Sequence, residues 1–177
     1  MLLSRKCLLM KKHFILLLFI TFFIKYSSAQ EFPKGFIMHL KLHNGAITNF
    51  KDAPDLYVGG LQLVPQYTVI EHRLRAGLIA DAFYTNKKLQ AAFGPTVSLL
   101  ITQIKAGDFG SAANLHVKLD YLWGTNKQQL FGGGVVADLF NLITVGLTAH
   151  RDFNSKTWWL QNEVGVRISK KFRSKEL

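Results

Sequence analysis

The residues best placed to do chemistry are nine ionisable side chains set at alternate positions in otherwise apolar segments: Lys41, Arg73, Arg75, Asp81, His116, Lys118, Asp120, Glu163 and Arg167. Side chains on a strand alternate faces with period two, so each of them lies opposite an apolar stripe. The segment ending at Trp123 is the clearest case, because Leu115, Val117, Leu119, Tyr121 and Trp123 alternate with His116, Lys118 and Asp120. Gathered inside one fold, such charges either neutralise one another as a hydrogen-bonded core or pass a proton or small ion. An unpaired buried charge is costly, so mutual pairing is the expected state.

A second constellation is local. His150 and Ser155 bracket a short polar segment in which a base and a hydroxyl could meet as in nucleophilic catalysis. A histidine and a serine in a polar loop are more often simply solvated, so no enzymatic activity is expected. His39, His43, His72 and His116 have no spacing that demands a metal, and no GxSxG, HExxH or phosphate-binding loop occurs. No cofactor is expected either.

The elements that must position these residues are strands. The first is expected over Phe36 to His43, with Phe36, Met38, Leu40 and Leu42 opposite His39, Lys41 and His43, before a loop from Asn44 to Asp55. The second runs from Leu56 to Thr68. The third, His72 to Tyr84, sets Leu74, Ala76, Leu78, Ala80, Ala82 and Tyr84 against Arg73, Arg75, Gly77 and Asp81. The fourth, Leu89 to Gln103, places Phe93, Val97, Leu99 and Ile101 against Ala92, Gly94, Thr96, Ser98 and Thr102. The fifth is the segment ending at Trp123. The sixth and seventh, Gln128 to Ala137 and Leu142 to Arg151, flank a turn at Asp138 to Asn141, and the eighth is Thr157 to Ile168. The apolar stretch Gly132 to Ala149 could instead be read as one helix, but Asp138 and Asn141 at its centre and four glycines within it favour two strands.

Compartment follows from the start of the chain. An apolar run over Phe14 to Ile24 is preceded by Lys11 and Lys12 and followed by Ser27 and Ala29, the layout of a secretory signal with cleavage between Ala29 and Gln30. At 11 residues the run is too short to span a bilayer as a helix. Met10 offers a second possible start. Residues 30–177 then form a single cysteine-free domain whose stability must come from packing and closed hydrogen bonding. Five basic residues leave with the signal, so the net charge falls from +11 to +6. An exported chain with dispersed basic residues has no reason to meet nucleic acid; anionic lipid head groups and lipopolysaccharide are the expected contacts.

An eight-stranded barrel can be soluble, like a lipocalin, or embedded in a membrane. The polar faces decide. Gly94, Thr96, Ser98, Gly132, Gly134, Thr144, Gly146 and Thr148 are small and uncharged, which suits a crowded interior better than a solvated exterior. Tyr84, Trp123, Phe153, Trp158 and Trp159 fall near one set of strand ends, and Tyr67, Phe109, Phe140 and Phe172 near the other, as two interfacial girdles would require. About ten residues per strand, tilted by about 40°, span on the order of 25 Å, the height of an outer-membrane apolar band. The fold class expected is therefore all-β, a closed antiparallel up-and-down eight-stranded transmembrane β-barrel. A leading periplasmic terminus would put the connections Asn44 to Asp55, Thr85 to Lys88, Gly124 to Lys127 and Asp152 to Lys156 outside the cell.

From Phe36 to Phe172 the pattern resembles the small eight-stranded outer-membrane barrels of Gram-negative bacteria, including the generic barrel-domain proteins common in Bacteroidetes. The final strand, Trp158 to Ile168 running on to Phe172, looks like the C-terminal signal such proteins present to the barrel-assembly machinery, although Arg173 to Leu177 follow the last aromatic. The resemblance implies location in the cell outer membrane and a non-catalytic structural or accessory role, within a larger envelope complex, with the lumen plugged by its ion pairs. Lipid-modifying enzymes occur on the same architecture with His and Ser at the outer rim, but the His150 to Ser155 spacing differs from their His-x-Ser arrangement. A lipid-modifying or small-solute-interacting barrel and a soluble periplasmic lipocalin-like binder are the alternatives.

Overall fold

A computed structural model describes residues 35–49, 56–71, 73–105 and 111–169. The expected signal segment with its Ala29 to Gln30 cleavage point, and the positions His72, Phe109 and Phe172, lie outside the described residues.

Eight strands follow one another: β1 Phe36–Thr48, β2 Leu56–Ile70, β3 Leu74–Thr85, β4 Lys88–Lys105, β5 Ser111–Gly124, β6 Gln129–Leu139, β7 Ile143–Asp152 and β8 Trp158–Ser169. Each pairs antiparallel with the next, and β8 returns to β1, where Leu42 faces Val164, so the sheet closes as an up-and-down barrel. Closure leaves no strand edge, the arrangement that pairs every ladder N–H and C=O without solvent. The stretch Gly132 to Ala149 is indeed two strands, paired at Gly133 and Ala149. The barrel has a loop end, carrying the β1–β2, β3–β4, β5–β6 and β7–β8 connections, and a terminal end, where β1 starts and β8 stops.

Two turns show why the chain reverses where it does. Asn86 and Lys87 adopt φ of 47° and 60°, a two-residue loop of the kind that matches strand twist. Phe140 and Asn141, at 51° and 56°, do the same for β6 and β7, closed by the Leu142 N–H donating to the Leu139 carbonyl at 3.0 Å. That places the turn, Leu139 to Leu142, one residue later than its composition suggests, because Phe140 is not a residue that advertises positive φ. Asp138 consequently belongs to β6 and points inward.

Polarity is inverted relative to a soluble barrel. Leu40, Leu42, Leu61, Leu63, Leu78, Phe93, Val97, Leu119, Val135, Leu147, Val164 and Val166 all stand exposed on the outer wall. His39, Lys41, His43, Gln62, Arg75, Asp81, Lys118, Asp120, Asp138, His150, Glu163 and Arg167 are buried. Glycines make room for the long polar chains. A Cβ on Gly165 would lie 2.4 Å from the Leu40 carbonyl oxygen and 2.8 Å from Cγ of Lys41, its partner across the β1–β8 pair. One on Gly94 would meet the Tyr121 carbonyl oxygen at 1.8 Å.

Three side chains sit elsewhere than expected. Trp159 is 3% exposed and packs edge-to-face on Phe83 at 5.3 Å, so it is an interior residue and not part of a girdle. The reason is period two: its neighbour Trp158 already faces out. Arg73 lies in the β2–β3 connection, half-buried, rather than on a strand. A register shift between Leu100 and Thr102 puts Thr102 opposite Leu115, on the wall face instead of the interior.

Candidate functional site, the barrel lumen

Three polar clusters and one apolar layer fill the lumen. At mid-height, Glu163 on β8 is 0% exposed and shared by two lysines: Lys41 Nζ of β1 donates to Oε2 at 2.9 Å and Lys118 Nζ of β5 to Oε1 at 2.5 Å. Lys118 also reaches Asp120 Oδ2 at 3.1 Å, and Asp120 accepts from the Thr96 hydroxyl of β4 at 2.6 Å and meets His150 Nε2 of β7 at 3.1 Å. One continuous network thus ties β1, β4, β5, β7 and β8. Burying these charges is tolerable because each carboxylate is matched by more than one donor.

Toward the terminal end, Asp138 is the centre. Thr144 donates to its Oδ1 at 2.8 Å, and His39 Nε2, Arg75 Nη1 and Arg167 Nη1 each lie 3.6 Å away. Arg167 and Asn114 both donate to the Asn141 side-chain oxygen at 3.0 Å, anchoring the β6–β7 turn under the charges. His116 is buried in the same lumen. Toward the loop end, His43 Nε2 meets Asp81 Oδ1 at 2.8 Å while Nδ1 faces the Gln161 amide at 3.0 Å, and Gln62 donates to Asp81 Oδ2 at 3.1 Å. A carboxylate only accepts, so Nε2 of that ring is the donor to Asp81.

Above Asp81 the filling changes. Ile47, Val58, Phe83, Ala92, Leu122, Leu130 and Trp159 form an apolar layer under the loop end, continuing down one side to Val64 and Ile79. Over it lies a small recess of ≈ 210 Å³ with Asn86, Gln90, Asp152 and Trp159 in its lining. Asp152 organises the β7–β8 connection, accepting from the backbone N–H of Gln129 and Asn154 and from the Ser155 hydroxyl at 2.7 Å.

Of the nine charges expected to line the interior, Lys41, Arg75, Asp81, His116, Lys118, Asp120, Glu163 and Arg167 are buried there, and Arg73 is in a connection. The structure adds Asp138, His39, His43 and His150, together with Gln62, Gln66 and Gln161. Among the described residues the buried ions come to four cations, Lys41, Arg75, Lys118 and Arg167, and five carboxylates, Asp81, Asp120, Asp138, Asp152 and Glu163. Near-balance is what a sealed low-dielectric interior requires. His150 and Ser155 belong to separate networks: the imidazole points inward to Asp120, while the hydroxyl binds Asp152 and Thr157 in the exposed connection. Among the described residues no cluster of three or more His, Cys, Asp or Glu could hold a metal ion.

On the outside, Tyr84, Trp123, Phe153 and Trp158 stand exposed around the loop end, with Trp123, Tyr121, Phe131 and Phe153 in consecutive ring contact and Arg151 over Trp158 at 5.4 Å. Phe36, Tyr67 and Phe140 stand exposed near the terminal end.

No family model matches the sequence, and no curated protein matches it. Among solved structures the chain is similar to one described as "De novo design of transmembrane beta-barrels", at 12% identity and a TM-score of 0.49, over 78% of this chain and 100% of that one. The class to which the chain belongs, a closed eight-stranded up-and-down barrel with a charged interior, is given by its own strand order and polarity.

Proposed function

We propose that this chain is an integral outer-membrane β-barrel with a sealed lumen, serving as a non-catalytic structural or accessory subunit of an envelope assembly. The observation that carries the reading is the inverted polarity: every strand presents exposed apolar side chains on the wall while the buried ions are inside. Water would penalise such a wall heavily, whereas a bilayer accepts it, and the rings of exposed aromatics near both strand ends suit the two interfaces. A lumen filled by salt-bridged side chains and capped by an apolar layer supports a body that does not conduct, since an eight-stranded interior has room only for its own side chains. Contacts with lipopolysaccharide and with the assembly machinery during insertion belong to the same reading.

The test is gel migration of the detergent-extracted outer-membrane fraction, boiled against unboiled, paired with conductance in a planar bilayer. A heat-dependent shift with no conducting steps supports the proposal. Recovery from the soluble periplasm without a shift would turn it over in favour of a lipocalin-like carrier, and steady ion conductance would remove the sealed lumen.

A further inference from the structure

Away from the strand ends, the described outward positions carry an amide or a charge at two places, Asn44 on β1 and Asn162 on β8. They are register partners, so the two amides stand side by side across the closing seam. Asn162 is four residues from the girdle residue Trp158 on its own strand. At about 3.4 Å per residue and a tilt of about 40°, that sets the pair on the order of 10 Å inside the apolar band, beyond reach of head groups. Each amide has two N–H donors and one carbonyl. Bonded to each other, two such side chains satisfy at most two of their four N–H groups, and hydrocarbon offers nothing to the rest.

Beside the amides the wall is hollow. A recess of ≈ 580 Å³ lies over Gly133 and Ala149, which are register partners, and is rimmed by Leu147, Leu160, Asn44 and Asn162. Leu147, directly opposite Asn162, is 70% exposed and stands at the edge of the recess. One patch therefore contains a hole, an adjacent knob, and amides that are donor and acceptor at once. Such a patch is its own complement, the condition for a two-fold interface in which each copy offers the same surface.

Resting on the membrane-barrel reading above, we propose that this face docks a second copy of the same chain. Asn44 and Asn162 of one copy bond the matching amides of the other within the bilayer, and each Leu147 enters the opposing recess. Interfaces inside membranes are built this way, from small residues that allow close approach and polar side chains that find no other partner.

The experiment uses the full chain in native membranes, in a Cys7→Ser background so that one thiol is reactive. Asn162→Cys is compared with Leu78→Cys on the far wall under a short bifunctional thiol reagent, and the unmodified chain is sized in detergent by light scattering across a dilution series. The expected result is an adduct of twice the chain mass from Asn162→Cys alone. The unmodified chain is expected to dimerise, and the pair Asn44→Leu with Asn162→Leu to weaken dimerisation at least about tenfold while keeping its heat-dependent gel shift. A monomer at every concentration, an adduct of any other mass, or a dimer indifferent to the leucine pair overturns the proposal. Loss of the gel shift in the unmodified chain would instead count against the membrane reading, which separates the two failures.

Discussion

The two halves of the lumen solve the same problem with opposite materials. Around Glu163 and Asp138 the space between strands is filled by ions that neutralise one another; around Phe83 and Trp159 it is filled by hydrocarbon. Both exclude water, but they respond differently to damage. Hydrocarbon loses contacts in proportion to the atoms removed, whereas a charge network loses one partner and leaves the other stranded in low dielectric.

Removing the shared carboxylate is therefore the most severe test. Glu163→Leu takes the carboxylate from Lys41 and leaves Lys118 with Asp120 alone, and urea unfolding of the refolded barrel is expected to show a loss of about 5 kcal/mol. The double variant Glu163→Leu, Lys41→Leu is expected to recover most of that loss, because it removes one charge of each sign and leaves Lys118 paired with Asp120. A double variant as unstable as the single one would mean that the mid-height charges do more than fill space. In the apolar half, Phe83→Ala is expected to cost about 3 kcal/mol by the same titration. A loss as large as that of Glu163→Leu would erase the contrast.

Smaller changes sharpen it. Thr96→Val removes one hydroxyl from a carboxylate that keeps Lys118 and His150, and a loss of about 2 kcal/mol is expected. Trp159→Phe should shift stability by less than about 1 kcal/mol, since the buried indole N–H has no hydrogen-bond partner among the described residues and the edge contact to Phe83 survives in part. A larger effect measured in the same denaturation series would show that the indole nitrogen is engaged.

Much of the barrel was legible because a strand's period is two and one face of every strand is uniformly apolar. Leu115 to Trp123 alone fixes which side His116, Lys118 and Asp120 occupy, and the eight expected strands are the eight observed. What escaped depends on single-residue offsets. Asp138 falls by composition in a turn, because Phe140 carries no sequence mark of its positive φ, and the centre of the terminal-end cluster is hidden with it. His150 falls inside the expected seventh strand, but Asp152 and Asn154 after it suggest a rim pairing with Ser155, whereas β7 carries the imidazole inward to Asp120. Thr102 changed face through a bulge that composition does not announce. Trp159 shares its chemistry with Trp158, but the pleat sends the two to opposite faces. The apolar layer was missed for a related reason: Ile47 lies where Asn44 to Asp55 suggests a loop, and Phe83, Leu122 and Leu130 interrupt the polar face at the ends of their strands.

The position of Glu163 also bears on the order in which the molecule can be completed. Its two lysines stand on β1 and β5, while the acid itself arrives with β8, the strand that seals the cylinder. Until that strand docks, Lys41 and Lys118 lack their common counter-charge and must keep their water. The strand that completes the cylinder thus also brings the charge that neutralises the middle of its core.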